Sequence, residues 1–182
     1  MKNAIILHGI SETPKSFWLP YVKRELEKKG YQVWVPQLPQ KDNPDIKIAL
    51  PYVLSNGKFT KNTVIIGRSS GGPLTLSILE KLNIQINQAI LVAGFVLPLP
   101  VTGAANKMLQ TKYDWKKIKQ HVKDIIFINS DNDPWGCDDK QGKYMLDHIG
   151  GKLIIPKGEG HMGSDKFNQP YKKFLLLIKL VD

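Results

Sequence analysis

The chain has 182 residues, 42% of them hydrophobic and 23% charged, with 26 basic against 16 acidic side chains and a formal net charge of +10. That length and apolar content suit one domain over residues 1–182 with a core of its own, and they exclude wholesale disorder. The single cysteine, Cys137, excludes an internal disulfide framework.

Short β-branched runs alternate with amphipathic stretches along the chain. Strands are expected at Ala4–Leu7, Gln32–Val35, Thr63–Ile66, Gln88–Val92, Ile125–Asn129 and Lys152–Ile155, and their continuous apolar character suits parallel strands buried on both faces. Helices are expected at Phe17–Lys29, Ile46–Leu54, Ser70–Leu82, Tyr113–Val122, Lys140–Ile149 and Asn168–Val181. Asn43-Pro44-Asp45 reads as the start of the second helix, Asp138 and Asp139 as the start of the fifth, and Gly30 as the stop of the first. This alternation predicts an α/β fold: a three-layer α/β/α sandwich on a mostly parallel sheet of about six strands. In such sheets function gathers at the carboxyl ends of the strands.

Three strand ends carry chemistry. The third runs into Gly67-Arg68-Ser69-Ser70-Gly71, a Gly-x-Ser-x-Gly pattern between a strand and a helix. A strand that turns at once into a helix crowds the positions two before and two after the serine, so only small residues fit, and the turn exposes Ser69 Oγ. A nucleophilic serine needs a base and an acid that orients it, which in this arrangement follow in the order Ser, Asp or Glu, His. Asp133 follows the fifth strand, with Asp131 as the alternative acid, and His161 follows the sixth within a glycine-flanked loop. His121 and His148 fall in helical patterns. His8 belongs to His8-Gly9-Ile10-Ser11 after the first strand, a loop that would supply one oxyanion donor from the Ile10 N–H, or from Ser11, beside that of Ser70. Phe17, Phe95 and Trp135 are expected to line the substrate cleft, and Phe95–Val101 to give it an apolar wall.

These residues resemble the α/β-hydrolases, and more narrowly the small cap-less serine hydrolases related to retinoblastoma-binding protein nine. The resemblance spans most of the chain: His8-Gly9, Trp18, Leu38-Pro39, Pro44-Asp45, the elbow, Asp114–Ile118, Asp133-Pro134, Gly160-His161-Met162 and Phe167. It implies a minimal α/β-hydrolase fold without a large cap, a Ser69–Asp133–His161 triad and hydrolysis of ester or amide bonds. Two positions depart from the pattern. Arg68 stands where a histidine is frequent, and Ile46 and Ile48 stand where an aromatic is often seen.

Competing motifs fall away. Gly158–Gly163 spells G-x-G-x-x-G, but no βαβ unit follows it. Asp131–Gly136 looks like the start of a calcium loop, yet Trp135 and Gly142 occupy ligand positions. No cofactor and no metal is expected. Cys137 reads as a small inert side chain near the acid loop. Only Arg24 and Arg68 are arginines, so the basic excess is lysine and spread along the chain, and no nucleic acid is expected as partner. Met1–Gly9 is too short an apolar run for a signal peptide, and no run is long enough to span a bilayer, so a soluble, cytoplasmic protein is expected. The function read from the sequence is a serine hydrolase acting on a small ester, thioester or amide through an acyl-enzyme. The alternative is a non-catalytic binding or scaffold protein on a hydrolase fold.

Overall fold

In the computed structural model, which describes residues 1–100 and 103–181, the six apolar runs build one sheet. In chain order the elements are β1 (Asn3–Leu7), α1 (Leu19–Lys28), β2 (Gln32–Trp34), α2 (Ile46–Asn56), β3 (Thr63–Arg68), α3 (Gly71–Lys81), β4 (Ile86–Val92), α4 (Gly103–Asn106), α5 (Trp115–Gln120), β5 (Val122–Ile128), α6 (Asp139–Ile149), β6 (Lys152–Ile154) and α7 (Leu175–Leu180). The strand order is β2-β1-β3-β4-β5-β6, and every neighbouring pair is parallel.

Alternation along the strands divides the core between two faces. Ala4, Ile6, Val64, Ile66, Ile90 and Ile126 pack with Leu19, Val22 and Leu26 of α1 and Leu177 of α7. Ile5, Leu7, Ile65, Leu91 and Phe127 pack with Val53 of α2, Leu74 and Ile78 of α3, Ile118 of α5 and Met145 of α6. Burying a side chain of this size contributes about 1.5–3 kcal/mol, so the three layers form because the central strands are apolar on both sides. Helix starts follow the capping signals. Asp45 accepts from Lys47 N at 2.8 Å, and Asp138 accepts from Lys140 N at 3.1 Å.

The chain departs from the sequence expectation in three places. Asp114 caps α5, so that helix starts at Trp115, and Val122 opens β5 instead of ending the helix. The helix expected over Asn168–Val181 is confined to Leu175–Leu180: Ser164 and Gln169 form an antiparallel bridge, Asn168 and Tyr171 have positive φ, and Pro170 has no N–H for a helical bond. The short α4 follows the apolar Phe95–Pro100 stretch; Val101 of that expected wall lies outside the described residues.

Two consequences position the site. Among the described residues, the connection from β4 to β5 holds only α4 and α5, so no sizeable cap covers the carboxyl edge of the sheet. The chain also builds outward from β1 to β2, then crosses back to place β3 on the other side of β1. The carboxyl ends of β1 and β3 therefore flank the crevice at which ligands bind in open α/β sheets. Among the described residues, no helix is long and apolar enough to cross a membrane.

Candidate active site

At the end of β3 the backbone turns sharply, and Ser69 takes φ 50°, a left-handed conformation that costs a non-glycine residue about 1–2 kcal/mol. The flanking glycines make this turn possible. A Cβ on Gly67 would collide with the Gly71 carbonyl and Thr75 Oγ1, and one on Gly71 would lie 2.5 Å from the Leu7 carbonyl oxygen. Strand and helix touch backbone to backbone. Ser69 N donates to Val92 O at 2.9 Å, and Ser69 O accepts from Gly72 N at 2.8 Å, fixing the turn from both sides.

The acid and histidine loops meet beside it. His161 Nδ1 lies 2.7 Å from Asp133 Oδ2, both side chains are buried, and Asp133 Oδ1 accepts from Trp135 N at 2.8 Å. The carboxylate thus fixes the tautomer, with the proton on Nδ1, and leaves Nε2 with its lone pair. Asp131 is exposed and accepts instead from Gly158 N at 2.7 Å. Burial pushes the His161 pKa below its ordinary value; the Asp133 hydrogen bond works against that shift, and the nearby Arg68 charge adds to it. The histidine loop has little regular structure and is held by side chains. Trp18 Nε1 donates to Met162 O at 3.0 Å, Gln169 Oε1 accepts from His161 N at 3.1 Å, and Asn132 Oδ1 accepts from Gly160 N at 2.8 Å.

The loop after β1 closes the third side. Buried His8 accepts from Leu38 N through Nε2 at 3.0 Å and donates from Nδ1 to Gly9 O at 2.8 Å, which pins the peptide that carries the Ile10 N–H. Ser11 N already donates to Lys41 O at 2.7 Å, whereas the N–H groups of Ile10 and Ser70 have no acceptor among the described residues. Ser70 is the N-cap of α3, where the helix dipole adds positive potential.

These pieces enclose a cleft of about 280 Å³ whose walls include Ile10, Ser69, His161, Phe17, Trp135 and Leu99. Trp135 stands edge-on to His161, with ring centroids 6.5 Å apart. Phe95 is not a wall residue: at 1% exposure it faces the core, packed with residues of β4 and β5. β4 ends at Val92, and the positive φ of Ala93 (48°) breaks the strand alternation before Phe95. Sequence reasoning missed Glu12, Ser16, Asp165 and Lys166, which also line the cleft. These residues sit in irregular loops without a periodic pattern, so no local signal marks them.

Cys137 proves to lie beside Asp133 and His161. One ligand-type atom from each of Asp133, Cys137 and His161 lies within 4.8 Å of the others. The trio is nonetheless a poor metal centre. Burial pushes the Cys137 thiol well up, away from the thiolate a metal needs, and the buried Arg68 cation acts on both Asp133 and Cys137.

Comparison with known proteins agrees with this fold. Residues 4–179 match the family model described as serine hydrolase. The chain is 29% identical to the Bacillus subtilis (strain 168) protein YdeN over 135 residues, 72% of this chain and 71% of YdeN. It is 26% identical to the serine hydrolase RBBP9 of Rattus norvegicus over 157 residues, 84% and 81% of the two chains. The crystal structure of the B. subtilis ydeN product superposes with a TM-score of 0.90 at 24% identity, covering 99% of this chain and 96% of that one. Est1E from Butyrivibrio proteoclasticus, solved with ferulic acid bound, shares the fold at a TM-score of 0.73 and 12% identity, covering 100% and 86%. With the family model spanning nearly the whole chain, this protein belongs to the serine hydrolase family and has the minimal α/β-hydrolase fold.

Proposed function

We propose that the protein cleaves a small ester, thioester or amide through a Ser69–His161–Asp133 triad and an acyl-enzyme. The observation that carries this reading is the 2.7 Å contact between His161 Nδ1 and Asp133 Oδ2, in a cleft that His161 shares with the strained Ser69 turn. Ser69 Oγ attacks the carbonyl carbon while His161 Nε2 takes its proton. The oxyanion accepts from the Ile10 and Ser70 N–H groups, which have no acceptor among the described residues. Collapse breaks the bond to the leaving group, which takes the proton from Nε2. Water then attacks the acyl carbon, gives a proton to Nε2, and Ser69 departs with that proton restored.

Asp133 orients His161 and stabilises the imidazolium formed in each half-reaction. The dimensions and apolar walls of the cleft favour short acyl groups. Hydrolysis of p-nitrophenyl acetate and butyrate, of matching thioesters and of aminoacyl amides tests the reading and ranks the bond types. Turnover by the wild type and none by Ser69→Ala is the expected result. Equal turnover by both would remove Ser69 from the chemistry.

A further inference from the structure

Arg68, the residue beside the reactive serine, is fully buried. Its guanidinium bridges two loops. Nη1 forms an ion pair with Glu12 Oε1, and Nη2 donates to the Gly163 carbonyl of the histidine loop. Glu12 Oε2 in turn accepts from Gly9 N at 2.9 Å, one peptide before the Ile10 N–H. The Phe17 ring covers the guanidinium at 4.7 Å. Both loops close down tightly on the pair. A Cβ on Gly9 would lie 2.7 Å from Glu12 Oε1, 3.0 Å from Ser69 Cβ and 3.1 Å from Arg68 Nη1; one on Gly163 would lie 2.8 Å from Phe17 Cγ and 3.1 Å from Arg68 Nη2.

Stability alone is a poor explanation for this pair. Arg68 Nε has no acceptor among the described residues. Burial brings the Arg68 pKa down to about 10, so the charge is held at a solvation cost. A buried ion pair can often be replaced by apolar side chains without loss of stability, whereas removing one partner leaves an uncompensated charge. What the pair does here is connect the two loops that face each other across Ser69.

Resting on the triad reading above, we propose that Glu12 and Arg68 are positioning residues: one buried ion pair holds the Gly9–Ile10 turn and the His161 loop in mutual register around Ser69. Its loss leaves substrate binding nearly intact and weakens the transition state. A displacement of about 1 Å in reacting groups costs on the order of 10²-fold in rate.

The test compares Glu12→Gln, Arg68→Met and the double variant. Each is assayed for kcat and KM on p-nitrophenyl butyrate, affinity for an arylboronic acid that forms a tetrahedral adduct on serine, and melting temperature. In Glu12→Gln, kcat is expected to fall by about 10²-fold with KM within about twofold, and boronate affinity to fall in step with kcat. The double variant is expected to melt above Arg68→Met yet to remain as slow as Glu12→Gln, so rate and stability part company. A purely structural role predicts that rate follows stability. The proposal is overturned if folded Glu12→Gln keeps kcat within about threefold of wild type, or if the double variant recovers its rate along with its melting temperature. Should Glu12→Gln not accumulate, Glu12→Asp, which keeps the charge but withdraws it from Gly9 N, decides by the same kcat criterion. Wild-type turnover lost in Ser69→Ala confirms the triad independently, so a failure of the clamp and a failure of the triad are told apart.

Discussion

The two loops that carry Ser69 and His161 are built on different physics. The elbow holds Ser69 by backbone crowding: Gly67 lets β3 approach α3, and Gly71 lets α3 approach β1, closer than a Cβ allows, and Ser69 takes φ 50°. The histidine loop holds His161 by tethers from distant parts of the chain, through Trp18, Asn132 and Asp133, and by Gln169 eight residues on. The elbow is therefore local and rigid, and damage to it is steric. The histidine loop depends on many long-range bonds, each of which can be removed singly.

The largest effect should ignore this difference. Ser69→Ala and His161→Ala are each expected to cut kcat by about 10⁶-fold, because members of a triad act as a unit. If one of the two variants kept within tenfold of wild-type kcat in an ester assay, the paired roles would be wrong. The next effect separates the two aspartates. Asp133→Asn is expected to lower kcat by about 10⁴-fold, since the amide no longer supports the correct tautomer. Asp131→Asn, at a side chain that is exposed and accepts from Gly158 N, should stay within about tenfold. Reversal of that order in steady-state kinetics would make Asp131 the orienting acid.

A smaller effect probes the two kinds of construction. Gly71→Ala places a methyl 2.5 Å from the Leu7 carbonyl oxygen and should destabilise by about 1–3 kcal/mol or more, read as a fall in the urea midpoint. Gly158→Ala, in the histidine loop, meets nothing within 4 Å and pays only for its φ of 77°, about 1–2 kcal/mol. Equal rates with unequal stabilities would confirm that the elbow is set by packing. The smallest effect is in pH. His161 must be neutral to act as base, and burial disfavours its protonated form, so kcat/KM should rise with pH through a midpoint below 6.5. The unfolded chain binds this proton more readily than the folded one, so His161 also contributes a loss of stability as pH falls through that same window. A midpoint above 6.5 would show the Asp133 interaction outweighing burial.

The same contrast explains what could be read from the sequence. The elbow was legible because its signature lies within five residues and demands glycine at fixed spacing. Apolar runs revealed all six strands and the α/β alternation their parallel sheet, whereas their order at the crevice is set by the crossovers of the fold. Asp133 and His161 were legible as residues after strands, though the choice between Asp131 and Asp133 needed geometry: both are acids in one loop, and only the fold decides which reaches Nδ1. Three features had no local signature. Phe95 turned inward because of where β4 ends. The last helix started late because of Pro170 and the Ser164–Gln169 bridge. The Glu12–Arg68 pair joins residues far apart in sequence, and Arg68 registered only as a departure from a familiar pattern.

The most direct measurement is labelling with a fluorophosphonate, followed by mass-spectrometric mapping of the modified peptide. The account predicts one adduct, on Ser69, in the wild type, with none in Ser69→Ala and a strongly slowed reaction in His161→Ala. Correctly folded wild-type protein that takes up no label, or that takes it up at a residue other than Ser69, would contradict it.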